Sequence, residues 1–321
     1  MSAETTTTTE RPTYILTRAE VRAVVRVSPS FVRVTFGGDD LFEFGTPGEV
    51  FDSRIKLVFP PASGVLPELD RASDNWWQAF LAVPEEERGS MRTYSVRDLR
   101  VDDETGTEVD VDFVLHLEPG LTGPASLWAD QAAVGQELYL VGPRRGLGVD
   151  AHGGAEFAPG AAASVVLAGD ETAAPAIARI LEDAPRGLRG VAFIEVPTPA
   201  DVLRIDAPTG VDVHWLPRDA GEPHGVHLIP AALGYLGDAD ASDEVLVNDI
   251  DGEDLLWETP AYSGLGEEIA AADAPAERYF WIAGESGVVT TLRRHLVKDL
   301  GIDRGQVAFM GYWRRGVAMR G

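Results

Sequence analysis

The stretch MRTYSVR, residues 91–97, sets two arginines around Thr93, Tyr94 and Ser95. An arginine offers a planar fork of donors to a phosphate, and a tyrosine offers an aromatic face to a flat ring. A serine adds a hydroxyl for a polar edge. Further on, DFVLHLEPGLTGPASLWA (112–129) runs from an apolar strand through a Gly/Pro loop to Ser126, in the first turn of a helix. Ser126 and its neighbouring N–H groups suit a pyrophosphate with Arg92 adding charge. A Ser-capped helix after a loop reads equally well. Two later junctions, VVLAGDETAAPAI and WIAGESGVV, pass from strand through glycine into helix. Such a turn presents free N–H groups and a positive helix end to a phosphate. Neither junction contains G-x-G-x-x-G, and Gly169 at a positive φ with Asp170 or Thr172 as a cap makes an ordinary turn. Two such junctions on one sheet edge favour a shared ligand crevice, at Gly169, Asp170, Glu171 and Thr172 and at Gly284 and Glu285.

Elements must hold these residues in place. Residues 14–150 read mostly as short strands, at 19–29, 31–38, 54–60, 92–101, 108–117 and 137–143. Their apolar/polar alternation and Gly or Pro punctuation predict a closed antiparallel barrel. Residues 64–89, with Trp76, Trp77 and PEEER, read as an insertion between two of its strands. The segment 148–163 is small, flexible and polar, as a linker is. Beyond it, strands alternate with helices over 161–317, the pattern of a doubly wound α/β domain. Residues 231–259 are acidic and weakly periodic and fit neither element.

The whole chain narrows the partners. It carries 27 Lys and Arg against 52 Asp and Glu, a formal charge of -25, which repels nucleic acid and anionic lipid. No cysteine is present, which excludes disulfides, thiolate metal sites and cysteine-ligated iron–sulfur clusters. The N-terminus lacks a signal-peptide pattern and no run of roughly 18 apolar residues occurs, so a cytoplasmic protein without membrane insertion is expected. Lys56, in RIKLVFP, stands out as one of two lysines, and by alternation it is also an ordinary solvent-facing strand residue.

Together the barrel motifs form a flavin site: Tyr94 for the ring face, Ser95 for its edge, Arg92 and Ser126 for the phosphates. RTYS followed by GPAS resembles the R-x-Y-[ST] and glycine-to-serine pair of the ferredoxin reductase superfamily. The blocks DFVLH, GPASLWA, LVGPRRG, LAGDETAAPAI, IAGESGVVTTLRRHL and FMGYWRRG resemble those of the siderophore-interacting proteins, which are FAD-dependent ferric-siderophore reductases. The resemblance spans residues 15–316. It implies a β-barrel FAD-binding domain (14–150) and an α/β NAD(P)-binding domain (161–317). It assigns Arg92, Thr93, Tyr94 and Ser95 to FAD. Asp112, Phe113, Val114, Leu115 and His116 continue that site, as do Gly123, Pro124, Ala125 and Ser126. NADH or NADPH is placed over the second domain. The link between His116 and GPAS is longer here than in the family. Lys56 matches a family segment beside the flavin and is expected, with Arg144, Arg145 or Arg314, to meet an anionic ferric siderophore. The three arginines also read as loop or neutralising charges.

The implied activity is NAD(P)H-dependent reduction of chelated Fe(III), because nicotinamide gives two electrons, iron accepts one, and flavin does both. The iron belongs to the substrate, and no protein-bound metal is expected. Two other readings stay open: a flavin oxidoreductase with a quinone or free flavin as acceptor, and a non-catalytic iron-siderophore binding protein. A ferredoxin donor is equally compatible. Glu195 would accept from an adenosine ribose and favour NADH, whereas Arg204 and Arg218 would bind a 2′-phosphate.

Overall fold

A computed structural model describes residues 13–46, 48–71, 73, 75–102, 104, 106–117, 122–146, 154–237, 256–259, 262–263 and 277–316. Alternating branched residues in the first half build seven strands. These are β1 (Tyr14–Arg26), β2 (Phe31–Gly37), β3 (Arg54–Phe59), β4 (Ser90–Ser95), β5 (Asp98–Asp102), β6 (Gly106–Val114) and β7 (Glu137–Pro143). They form one antiparallel sheet in the order β4-β3-β7-β1-β2-β6-β5. The strand expected over 92–101 breaks at Val96 and Arg97, whose N–H groups donate to Ser53 and Asp110 carbonyls instead of continuing the ladder. The two edge strands are therefore consecutive in the chain but form no β4–β5 ladder, so the sheet is a curled half-barrel and not the fully closed barrel expected.

Three helices accompany the barrel: α1 (Trp76–Ala82), α2 (Glu85–Arg88) and α3 (Pro124–Asp130). Residues α3 contributes, Ala125, Trp128 and Ala129, join the interior with Phe36, Leu57, Val111 and Phe113. The expected insertion forms α1 and α2, and Phe80 packs with Leu69 over Val58, Met91 and Tyr139 on the barrel's outer side.

The second sheet contains β8 (Ser164–Gly169), β9 (Arg189–Val196), β10 (Gly210–Pro217), β11 (Trp257–Thr259), β12 (Tyr262–Ser263), β13 (Arg278–Glu285) and β14 (Val307–Trp313). Its order is β10-β9-β8-β13-β14-β11-β12, parallel from β10 to β14 and antiparallel at β11. Strand order runs outward in both directions from the β8/β13 pair, which makes that pair the topological switch point. The helices are α4 (Ala174–Asp183), α5 (Leu228–Tyr235) and α6 (Ser286–Arg294). Residues of α4 share a core with Phe31 of the barrel, whereas α5 and α6 cover the opposite face. Of the acidic segment 231–259, α5 takes the beginning and β11 the end, while 238–255 lie outside the described residues.

The halves are clamped together. Asp201 is fully buried and accepts from Ser28 Oγ (2.6 Å), Ser30 N (2.8 Å), Ser30 Oγ (3.0 Å) and Thr198 Oγ1 (2.7 Å). Arg97 forks onto Glu182 at 2.6 and 2.8 Å, and Arg179 reaches Asp98 at 2.8 Å. Asp52, also fully buried, accepts from Trp281 Nε1 (2.8 Å) and from the N–H groups of Glu156 and Phe157. The segment expected as a flexible linker is thus anchored from Gly154 onward; its part at 148–153 lies outside the described residues.

Candidate functional site

The β3–β4 ladder sets Lys56 opposite Thr93, Leu57 opposite Arg92 and Ile55 opposite Tyr94. Because strand side chains alternate, Arg92 and Tyr94 share the face of the apolar interior while Lys56, Thr93 and Ser95 share the other. The Tyr94 ring lies 4.6 Å from Phe113 and 6.2 Å from Phe59, so packing fixes its plane. Burial raises its hydroxyl pKa above the ordinary value, with Arg92 opposing, and the ring stays neutral.

Arg92 and Lys56 differ from Arg33, Arg54 and Arg100 of the same barrel. Arg33 forks onto Asp112 at 2.7 and 2.8 Å, Arg54 meets Glu156 at 2.6 Å, and Arg100 meets Asp110 at 2.8 Å. The Arg92 guanidinium instead donates to the Met91 carbonyl (2.6 Å), and Lys56 Nζ reaches Thr93 Oγ1 at 3.4 Å. Neither has a carboxylate partner among the described residues. Burial lowers both pKa values, aided at Lys56 by the charge of Arg54. A partly desolvated cation without a counter-charge is a receptor for an anion.

Ser126 sits in the first turn of α3, but it does not cap the helix; Gly123 is the cap residue, with open space where a Cβ would stand. The Ser126 hydroxyl donates to the Val114 carbonyl (3.2 Å) and accepts from His116 N (3.4 Å), tying the helix to the end of β6. Phe113 and Leu115 point into the core. Asp112 faces away from Tyr94 and is consumed by Arg33 and, at 3.6 Å, by Arg97. It borders a cavity of about 180 Å3 between α4 and the barrel, with Trp215 and the expected 2′-phosphate candidate Arg204 in its wall, that takes in none of the other residues expected at the flavin or the chelate. Arg144 pairs with Glu43 at 2.5 Å, and its residue lies about 10 Å along the strand from Val141, the partner of Lys56. Arg145 stands over the Phe42 ring at 5.4 Å. Neither is brought to Lys56.

At the switch point the expected turns form with different chemistry. Gly169 has no positive φ; Gly284 has one, at 139°, and a Cβ there would come within 2.7 Å of Asp170 Cγ. Asp170 accepts from Thr172 N (2.9 Å), Glu285 N (2.7 Å) and Trp313 Nε1 (2.9 Å), joining the ends of β8, β13 and β14. Its pKa is raised by burial and by the adjacent Glu171 charge. Glu285 caps α6 by accepting from Val288 N at 3.0 Å. Burial opposes ionisation of Glu171, yet His224 and Arg218 outweigh it and hold its pKa at about 2.

The expectation that Glu195 faces a ribose is corrected. It is fully buried, accepting from Arg218 Nη1 (2.9 Å) and from the N–H groups of Gly225 (2.7 Å), His227 (3.0 Å) and Leu228 (2.9 Å). Arg218 is likewise occupied. A carboxylate at a strand end satisfies the orphan donors entering α5, and sequence spacing does not distinguish this from a ribose contact.

Two residues were not singled out from sequence. The Trp313 ring lies 5.4 Å from His116 of the barrel and 4.7 Å from His224, whose Nε2 is 2.9 Å from Glu171 Oε1. Trp313 thereby joins the Ser126–His116 loop to the Asp170 turn across the cleft. It lay in FMGYWRRG beside the noted Arg314, which follows it directly, whereas His224 carried no motif.

A neutral ring platform, an unpaired guanidinium and an open glycine loop fit a flavin nucleotide, and the cleft runs from them to a parallel-sheet switch point. This is the ferredoxin reductase-like arrangement of an FAD-binding barrel and an NAD(P)-binding α/β domain. A ferredoxin NADP+ reductase from Neisseria gonorrhoeae shares the fold, with TM-score 0.52 and 15% identity over 94% of this chain and 100% of that one. More narrowly, residues 20–147 match the siderophore-interacting FAD-binding domain and residues 162–316 match the siderophore-interacting protein family. The chain belongs to that family. It is 30% identical over 292 residues to the ferric vibriobactin reductase of Vibrio cholerae, covering 90% of this chain and 86% of that protein. It is 28% identical over 295 residues to the NADPH-dependent ferric-chelate reductase of Escherichia coli, covering 91% of each. A siderophore utilization protein from T. fusca superposes with TM-score 0.66 and 28% identity, covering 96% of both chains. Among the described residues, no helix is long and apolar enough to cross a membrane.

Proposed function

We propose that this protein is an FAD-dependent ferric-siderophore reductase that takes electrons from a nicotinamide nucleotide. The pair Lys56 and Arg92 carries the reading: in a chain of formal charge -25, Arg92 stands beside Tyr94 and Lys56 on the other face of the same ladder, without a carboxylate partner among the described residues. One suits a cofactor phosphate and the other an anionic ferric chelate. Bound FAD supplies the exchange between a two-electron donor and one-electron Fe(III).

Arg92 and the Gly123–Ser126 loop, with Pro124 and Ala125 shaping it, hold the phosphates. Tyr94, fixed by Phe113, supports the ring. Thr93, Ser95, Val114 and His116 border it, and Asp112 acts only through Arg33 and Arg97. The nucleotide crosses the switch point at Gly169–Thr172 and Gly284–Glu285, where Trp313 screens the cleft. Lys56 meets the chelate from the opposite face of the ladder, and among the arginine candidates Arg144 is spent on Glu43. The domain division at 150 and 161 is supported by the strand spans, which end at Pro143 and resume at Ser164. Dependence on a nicotinamide nucleotide favours a cytoplasmic location.

The test is an anaerobic titration of the purified protein followed by addition of a ferric siderophore with an Fe(II) indicator. Flavin absorbance, bleaching by the nucleotide and Fe(II) release are expected. Equal turnover with a quinone would favour a general flavin oxidoreductase, and absence of flavin absorbance a binding protein. A ferredoxin donor would show as bleaching by reduced ferredoxin alone.

A further inference from the structure

A dinucleotide bound at a switch point extends its adenosine toward the end of the neighbouring strand, where an acid addresses the ribose hydroxyl in NADH-using proteins and a guanidinium addresses the 2′-phosphate in NADPH-using ones. Here that position is the end of β9, with Glu195, beside the end of β10, with Arg218. Both guanidinium η nitrogens of Arg218 are committed, Nη1 to Glu171 (3.0 Å) and Glu195 (2.9 Å) and Nη2 to Glu171 (3.0 Å). The group is almost completely buried, and so are both carboxylates. Turning Arg218 outward to a phosphate would leave two buried carboxylates without their guanidinium, an exchange that breaking a buried ion pair makes unfavourable.

Among the described residues, no other cation along this edge takes its place. His227 Nε2 is engaged by Glu222 at 2.9 Å, and His224 by Glu171 at 2.9 Å. Arg204 lines the cavity between α4 and the barrel beside Arg33 and Arg97, apart from the Glu195 cluster. Arg314 and Arg315 follow β14, and the Arg315 N–H donates to Glu285 at the end of β13 (3.3 Å), two strand spacings or about 10 Å from β9. At roughly 0.15 M salt that exceeds the screening length of about 8 Å. The strand ends themselves carry Asp170, Glu171, Glu195 and Glu285, four buried carboxylates. Arg218 and His224 are already engaged by these carboxylates and are not left to meet the additional dianion of a 2′-phosphomonoester.

We infer that this protein selects NADH over NADPH, and that Arg218 is a structural counter-charge for Glu171 and Glu195 rather than a phosphate receptor. The inference rests on the nicotinamide-dependent flavoprotein reading above and sets this chain apart from its NADPH-named relative. The expected preference is the worth of one missing charge-assisted phosphate contact, roughly ten- to a hundredfold.

The experiment measures flavin reduction in the FAD-loaded protein by NADH and by NADPH in stopped flow without any iron chelate, and binding of ADP-ribose and 2′-phospho-ADP-ribose by calorimetry. NADH should win by at least about tenfold in second-order reduction rate. The 2′-phosphorylated fragment should bind no tighter than its parent. Arg218→Gln should lower the melting temperature, and Arg204→Ala should leave the NADH/NADPH ratio unchanged. Equal or faster reduction by NADPH overturns the inference, as does selective loss of the phosphorylated fragment in either variant. Should Arg218→Gln fail to fold, the wild-type fragments and Arg204→Ala still decide. Reduction by neither nucleotide overturns the donor reading and this inference together. Preferential reduction by NADH without transfer to any ferric siderophore sinks the substrate reading alone and supports the selectivity.

Discussion

Arg92 and Lys56, one register position apart on neighbouring strands, take different work from the two faces of one ladder. Arg92 shares the inner face with Tyr94, and its half-buried guanidinium has, among the described residues, only a carbonyl to donate to. Arg92→Ala should therefore weaken FAD binding by about 1.5 to 3 kcal/mol, roughly ten- to a hundredfold, without unfolding the barrel. Flavin retained at full occupancy after dialysis would remove Arg92 from the phosphate site. Lys56 faces outward with Thr93, and in a chain of charge -25 it supplies a local reversal of sign. Lys56→Glu should raise KM for an anionic ferric siderophore several-fold or more, leave a neutral chelate much less affected, and spare flavin reduction by the nucleotide. An equal loss with both chelates would return Lys56 to an ordinary strand residue.

At the scale of elements, the ends of β8, β9 and β10 are held by a charge cluster whose stability depends on pH. Burial works against protonated His224, but the hydrogen bond and charge of Glu171 prevail and raise its pKa above the ordinary histidine value. A raised folded-state pKa contributes stability that is fully present below the unfolded value of about 6.5 and disappears as pH rises through the folded value. Glu171, held at about 2, contributes stability present above its ordinary range and lost as pH falls toward 2. The difference in melting temperature between wild type and His224→Gln should thus be largest near pH 6 and shrink with increasing pH. A difference that grew toward alkaline pH would mean the histidine is held neutral. Trp313 extends this cluster to the barrel, since its ring contacts His224 and His116 while its Nε1 donates to Asp170.

For the whole molecule, function requires two cofactor-facing surfaces at a fixed separation, and a few buried carboxylates secure it. Asp201 replaces a crossover helix between β9 and β10 with a clasp on the β1–β2 hairpin, using three hydrogen bonds from Ser28 and Ser30 and a fourth from Thr198 of its own segment. Asp201→Ala removes the acceptor for buried donors on both halves and should cost about 2 to 4 kcal/mol in urea unfolding. Flavin binding, which rests on the barrel, should persist while the nucleotide's reduction rate falls. Unchanged stability would show that α4 and the Asp52–Trp281 contact suffice alone. Such clamps also explain why the segment from Gly154 is docked: Phe157 enters the second core, and Glu156 is held by Arg54 and Asp52.

Local patterns made most strands of the barrel, the strand–helix alternation of the second half and the RTYS and GPAS segments legible, because periodicity and turn residues are written in neighbouring positions. The break at Val96–Arg97 was not legible, since it depends on carbonyls of Ser53 and Asp110 far away in the chain. The family resemblance was likewise readable from blocks in order, as was the prominence of Lys56 among so many acids. Tertiary structure alone decided which charges are free. Arg33, Arg92, Arg144 and Arg218 look alike in sequence, yet among the described residues three meet carboxylates brought by other elements and Arg92 does not. It also turned Glu195 from a ribose acceptor into a cap for α5 and placed Trp313 between two histidines of different domains. Ion pairing and ring contact depend on distances between segments remote in sequence, and only the folded chain sets those distances.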